Sequence, residues 1–216
     1  MSRDTFPLEV FLKAFATLPD GLAWTMERVT ESMIRTLAER ELGESVWLFG
    51  AGSLMWNPGI AFEQRHVAIL EGYRRSFCLR MIAGRGSSEL PGRMLALEPG
   101  GVTRGIVYRL REDLLHDDLL SVWRREMVLG SYTPRWLTVT LEDGSRVAAI
   151  VFVANSERPH YETNSSVDAV APLIARARGP VGSNADYVCR LKHTLDSDGI
   201  VDSYVDELHR AILLHR

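Results

Sequence analysis

Two short stretches combine residue types suited to chemistry. The first is Gly50-Ala51-Gly52-Ser53, followed by Leu54, at the end of the apolar run Val46–Phe49. Small residues at a strand end let a ligand approach the backbone closely. Successive N–H groups in such a turn cradle a carboxylate or a developing oxyanion. The plain alternative is an ordinary turn or β-bulge. Nucleotide loops are excluded, because a dinucleotide loop needs a third glycine and a following helix, which Pro58 cuts off. A phosphate-binding P-loop needs Gly-Lys-Ser/Thr, which is absent here.

The second is Glu126, in "LLHDDLLSVWRREMVLGSY". On a helix, Leu115, Leu119, Val122 and Glu126 share one stripe, and Asp117, Asp118, Arg124 and Arg125 point elsewhere. A carboxyl where the pattern demands an apolar side chain is disfavoured in its ionised form. Gly130 marks a nearby helix end, whose negative dipole acts in the same sense. A carboxyl tuned upward serves as a general acid/base near neutral pH. The alternatives are an internal ion pair, with Arg80 or Arg93 for example, or a last-turn residue reaching solvent.

Two further stretches are weaker. "GRGSSELPGR" (Gly84–Arg93) is either a mobile loop over a pocket or a disordered hairpin tip. "GPVGSNADYVCRL" (Gly179–Leu191) reads as a loop in which Ser183 or Asn184 caps the next helix. Tyr187 then faces either a site or solvent. There is no Gly-x-Ser-x-Gly, neither cysteine has a nearby base, and the histidines lack metal-binding spacing.

The elements that must position these residues follow from periodicity and breakers. An amphipathic segment (Val10, Phe11, Phe15, Leu18) stops at Pro19-Asp20-Gly21. A helix spans about Thr25 to Leu42, with Met26, Val29, Met33, Ile34 and Leu37 near helical spacing. Strands are expected at 46–49, 66–73, 75–81, 94–98, 104–110, 135–141 and 147–153. A hairpin turns at "EDGS" (Glu142–Ser145). Helices are expected at about 112–127, 167–177, 183–195 and 204–214. Strands dominate the centre and helices the ends, which makes the fold α+β. Residues 1–44 read as a helical extension packed on the main body, and 45–216 as the main domain.

Composition narrows the function. A net charge of −3, with 25 basic and 28 acidic residues interspersed, gives no field for nucleic acid or anionic lipid. The longest apolar run, Val147–Ala154, falls far short of the roughly 20 residues of a membrane helix. Cys78 and Cys189 lie far apart, with no CxxC, which fits a reducing cytoplasmic setting.

Together these pieces resemble the ChaC-like γ-glutamylcyclotransferases. The matching segments are "FGAGSLMWNPG", "GYRRSFCLR", "GRGSSELPGRMLALEPGG", "RGIVYRL", "RREMVLGSY" and "GPVGSNADYVCRL", in family order over about residues 45–195. Residues 1–44 fall largely outside the resemblance. It implies a small mixed β-barrel flanked by helices, an enzyme that cleaves glutathione to 5-oxoproline and cysteinylglycine, and no metal or coenzyme. By position it implies that Gly50, Ala51, Gly52, Ser53 and Leu54 hold the γ-glutamyl part and that Glu126 is the acid/base. Tyr132 and Tyr187 are implied as further substrate-binding residues. The family's loop reads Tyr-Gly-Ser-Leu, so Ala51 is a departure that removes an aromatic wall and one hydroxyl. Two alternatives therefore stand beside the glutathione-cleaving enzyme. One is a non-catalytic γ-glutamyl-peptide binding protein, and the other a cyclotransferase for another γ-glutamyl amine.

Overall fold

Apolar runs without alternation belong to strands covered on both faces. In the computed structural model, which describes residues 13–15, 18 and 21–215, two such strands, β1 (Trp47–Gly50) and β5 (Arg146–Ala154), join three others to close a barrel. The others are β2 (Phe62–Met81), β3 (Gly92–Leu110) and β4 (Tyr132–Leu141). Neighbours run β1-β3-β2-β4-β5, antiparallel except where β1 meets β5 in parallel at Trp47↔Ala149 and Leu48↔Ile150. Trp47, Phe49, Ala149, Val151 and Val153 pack inside the barrel with Ala68, Leu97 and Val107. The alternate residues Leu48, Ile106, Ile150 and Phe152 join a larger core shared with the helices. Burial on both sides explains the unbroken apolar runs Trp47–Phe49 of β1 and Val147–Ala154 of β5.

The expected strand pairs 66–73 with 75–81, and 94–98 with 104–110, are each one continuous strand. The breakers lie opposite one another and bend the ladder without ending it. Register shifts between Glu71 and Tyr73, where Gly72 has φ 81°, and Pro99-Gly100-Gly101 sits across from it. A bulge with a left-handed glycine adds a residue and a kink while pairing resumes beyond it. The hairpin between β4 and β5 turns at Asp143-Gly144, as expected.

The helices are α1 (Met26–Ala38), α2 (Leu115–Glu126), α3 (Val167–Arg176), α4 (Asn184–Ser197) and α5 (Ser203–Leu214). Thr25 caps α1 by accepting the Arg28 N–H at 3.3 Å. Helix α1 ends at Ala38, short of Leu42, and buries Val29, Met33 and Thr36, while Met26 and Ile34 face solvent. Its apolar stripe is narrower than the spacing implied. Trp136 Nε1–H donates to the Thr36 carbonyl at 2.7 Å, and Trp123 Nε1–H to Ser32 Oγ at 3.3 Å, which fastens α1 to β4 and α2. Of the amphipathic segment before it, Val10, Phe11, Pro19 and Asp20 lie outside the described residues, and Phe15 is buried with Ala83 and Leu129.

Helix α2 opens with a 3₁₀ turn, Glu112–Leu114. The 179–191 stretch is more ordered than a loop. Arg178–Gly179 (β6) and Gly182–Ser183 (β7) pair as a short ribbon before α4. Among the described residues, no helix is long and apolar enough to cross a membrane.

Candidate active site

Where β1 ends, the chain turns through Ala51-Gly52 into a 3₁₀ turn, Ser53–Met55. This turn floors a cavity of about 480 Å³, a volume suited to a small molecule. Ala51, Gly52, Ser53, Leu54, Glu126, Tyr132 and Tyr187 all line it. Gly50 does not; it remains in the β1 ladder opposite Ile106. Of the residues singled out in the sequence, then, the fold gathers all but one around a single space.

Glu126 is the last residue of α2, and its side chain is 13% exposed. Burial raises its pKa above the usual carboxylate value, and the Arg125 guanidinium, with Nε 3.3 Å from Oε1, pulls in the opposite direction. Its position at a helix C-terminus acts with the burial, because the unpaired carbonyls there repel a carboxylate. The expected internal ion pair is therefore present, but its partner is Arg125 and not Arg80 or Arg93.

Arg125 itself departs from expectation, since its side chain is 7% exposed where the helical pattern put it on the outer face. Its Nη2 donates to Ser53 Oγ at 2.5 Å and its Nη1 to the Asn57 carbonyl at 2.6 Å. One guanidinium thus ties the glycine turn to the helix that carries Glu126. Neighbouring helix positions are only 100° apart, so a stripe wide enough to include Glu126 reaches Arg125 as well.

The aromatic wall is built by Tyr187 and Trp56, with ring centroids 5.4 Å apart at 65°. Burial and then Glu126 push the Tyr187 phenol up to about 12, while Arg125, the Ser53 backbone N–H and Arg85 pull it down. Gly52 is required here by contact, because a Cβ at that position would lie 2.6 Å from Tyr187 Oη. Tyr132 Oη donates to the Leu95 carbonyl at 2.8 Å, and burial, with Glu126 next, raises its pKa well above the usual tyrosine value. Tyr108 Oη secures the turn from beneath by donating to the carbonyls of Leu54 and Met55 at 3.0 and 2.9 Å.

The 84–93 stretch is not an open hairpin tip. Gly84 accepts the Val181 N–H at 2.9 Å, and Arg85 Nη1 donates to the Ser183 carbonyl at 2.8 Å. Arg85 stands 5.8 Å from the centre of the Tyr187 ring and lines the cavity. Ser183 caps α4 through the Asp186 N–H, whereas Asn184 bonds both the N–H and the carbonyl of Arg93. Arg80, Arg85, Arg125 and Arg190 share the lining with Glu126 and Asp186, a balance suited to an anionic ligand. Sequence reasoning did not assign Phe15, Trp56, Arg85 or Arg190 to the site, although it placed Phe15 in an amphipathic segment and Arg85 in a stretch that could cover a pocket. Only the closure of the barrel brings the four together. Among the described residues, no cluster of three or more His, Cys, Asp or Glu is arranged to hold a metal ion.

Comparison with known proteins places this geometry in context. A sequence model described as "ChaC-like protein" matches residues 46–214. A glutathione-specific gamma-glutamylcyclotransferase of Escherichia coli (strain K12) is 44% identical over 195 residues, covering 90% of this chain and 84% of that protein. Glutathione-specific gamma-glutamylcyclotransferase 1 of Homo sapiens is 32% identical over 152 residues, 68% of each chain. The crystal structure of a glutathione-specific gamma glutamyl cyclotransferase from yeast superposes with a TM-score of 0.73 at 21% identity. It covers 81% of this chain and 98% of that one, and it supports the fold.

Proposed function

The chain belongs to the ChaC-like family, and on that premise we propose that it is a γ-glutamylcyclotransferase, a lyase that converts glutathione to 5-oxoproline and cysteinylglycine. What carries the site assignment is that Glu126 and residues 52–54 of the glycine turn line one cavity. In this reading Glu126 removes a proton from the α-ammonium group of the γ-glutamyl part. The freed amine attacks the γ-carbonyl carbon and closes a five-membered ring, and amides of the turn steady the oxyanion. Protonated Glu126 then delivers its proton to the departing nitrogen as the amide C–N bond breaks, and the second proton shed by the ring nitrogen ends on the released amine. No water is consumed, and no side-chain nucleophile is needed. Amine and carbonyl belong to one molecule, so holding it curled supplies much of the rate advantage.

Supporting features are the raised pKa of Glu126, the cationic lining and the packed phenols of Tyr132 and Tyr187. The non-catalytic alternative is not favoured, because the relatives above are named as enzymes. A cytoplasmic setting is part of the same proposal, since the glutathione pool there keeps thiols reduced. So is the division into a 1–44 extension packed on the body and a 45–216 catalytic domain, and Phe15 in the cavity lining supports that packing. The test is release of 5-oxoproline from glutathione by the purified protein and by Glu126→Gln. Product from the wild type and its loss in the mutant are expected, and undiminished turnover in Glu126→Gln would overturn the assigned role.

A further inference from the structure

Arg75, on β2, has no place in the lining of the cavity, yet it grips the turn that floors it. Its side chain is 1% exposed. Nε–H donates to the Ala51 carbonyl at 2.8 Å, Nη1 to Asp202 Oδ2 at 2.8 Å, and Nη2 to the Arg104 carbonyl at 2.6 Å. Met55 Sδ, 3.5 Å from Nη2, completes the surround. A buried cation is costly unless its donors are met by well-placed partners, and here an ion pair and two carbonyls meet them. Asp202 is itself fixed, because its Oδ1 accepts the Val205 N–H at 3.1 Å as the N-cap of α5.

The Ala51 carbonyl and the Gly52 N–H are two ends of one peptide unit. No cis peptide bond occurs among the described residues, so the two ends point in opposite directions. Anchoring the carbonyl on the guanidinium turns the Gly52 N–H away from Arg75, and among the described residues that N–H donates to no other group. A cation on the carbonyl also polarises the peptide and strengthens the donor at its far end.

From these contacts we infer that Arg75 is a positioning residue, which holds the Ala51–Gly52 peptide so that the Gly52 N–H meets the oxyanion of the reaction. Asp202 at the head of α5 holds Arg75 in turn. The inference rests on the cyclotransferase reading. Through this linkage the C-terminal helix takes part in the site without touching substrate.

Arg75→Lys keeps the charge but lacks the fork that reaches Ala51, Asp202 and Arg104 at once. Its kcat for 5-oxoproline release should fall by about 10²-fold, the scale of a misplaced oxyanion donor, with KM little changed. Calorimetric titration with glutathione should still give full stoichiometry, which separates misplacement from loss of folded protein. In ¹⁵N-labelled protein the Gly52 amide resonance should move. Asp202→Asn keeps the helix cap and loses the charge, so it should show a smaller loss of kcat in the same direction, and it serves if Arg75→Lys does not fold. Full kcat in folded Arg75→Lys, a rise in KM alone, or an unmoved Gly52 amide would each overturn the inference. A wild type that releases no 5-oxoproline would overturn the cyclotransferase reading itself, a result distinct from an active wild type with an unimpaired Arg75→Lys.

Discussion

Glu98 and Glu126 are both largely screened from water, and their surroundings differ. Glu98, on β3, is 5% exposed, and its carboxylate accepts the Tyr161 hydroxyl at 2.5 Å and the Ser165 hydroxyl at 3.5 Å, with Arg74 Nη2 at 3.7 Å. Glu126 has the Arg125 guanidinium at 3.3 Å, and among the described residues no hydroxyl or backbone N–H donates to it. Both side chains are screened from water, but only Glu126 faces the 480 Å³ cavity with lone pairs uncommitted. Burial alone therefore does not mark a reactive acid. A carboxylate with its acceptors filled holds structure together, whereas one with spare acceptors and a raised pKa is equipped to take a proton from a ligand.

Exchanging each acid for its amide is the sharpest way to break this contrast. Glu126→Gln should lower turnover by about 10²–10⁴-fold, the range for a general acid/base, while glutathione binding persists by calorimetry. Glu98→Gln should leave turnover close to wild type. Loss of activity in both, or in neither, would dissolve the distinction. Next in size is Gly52→Ala, whose new methyl collides with Tyr187 Oη. Displacing the turn by about 1 Å should cost on the order of 10²-fold in kcat/KM. Adding Tyr187→Phe removes the obstructing oxygen and should recover part of that loss.

Stability provides the smaller readings. Glu98→Gln should cost about 1–3 kcal/mol in urea unfolding, since Oε2, which faces the Ser165 hydroxyl and Arg74, or Oε1, which accepts the Tyr161 hydroxyl, is replaced by a donor. Glu126→Gln should act in the opposite sense. The folded protein holds the Glu126 proton more tightly than the unfolded chain does. Its contribution is thus most favourable at low pH and is lost as pH rises from the ordinary value of 4.5 through the raised one. The melting temperature of Glu126→Gln, relative to wild type, should accordingly climb with pH across that window. The acid limb of wild-type kcat/KM should likewise fall above pH 4.5. A flat difference, or a limb at the ordinary value, would place Glu126 in a solvated setting.

Much of the frame was legible before folding. The 135–141 and 147–153 strands, their Asp-Gly turn and the Ser183 cap rest on local rules that tertiary packing did not override. The long strands β2 and β3 were cut in two because glycine and proline end isolated strands, while a paired strand survives them as a bulge. Arg125 was assigned to solvent because a charged side chain on a helix usually seeks it. Here the neighbouring turn offers Ser53 Oγ and the Asn57 carbonyl, and those acceptors make burial tolerable.

By itself the sequence determined which residues are capable of the chemistry. It has one carboxyl in an apolar stripe, one glycine turn at a strand end, and segments in the order of a known family, all properties of neighbours in the chain. Tertiary structure alone decided which groups meet. Closing the barrel places the end of α2 beside the turn after β1, and brings Arg85, Trp56 and Tyr187 to the same cavity. The physical reason is that such contacts join residues far apart in the chain, where neither periodicity nor propensity carries information about who the partner will be.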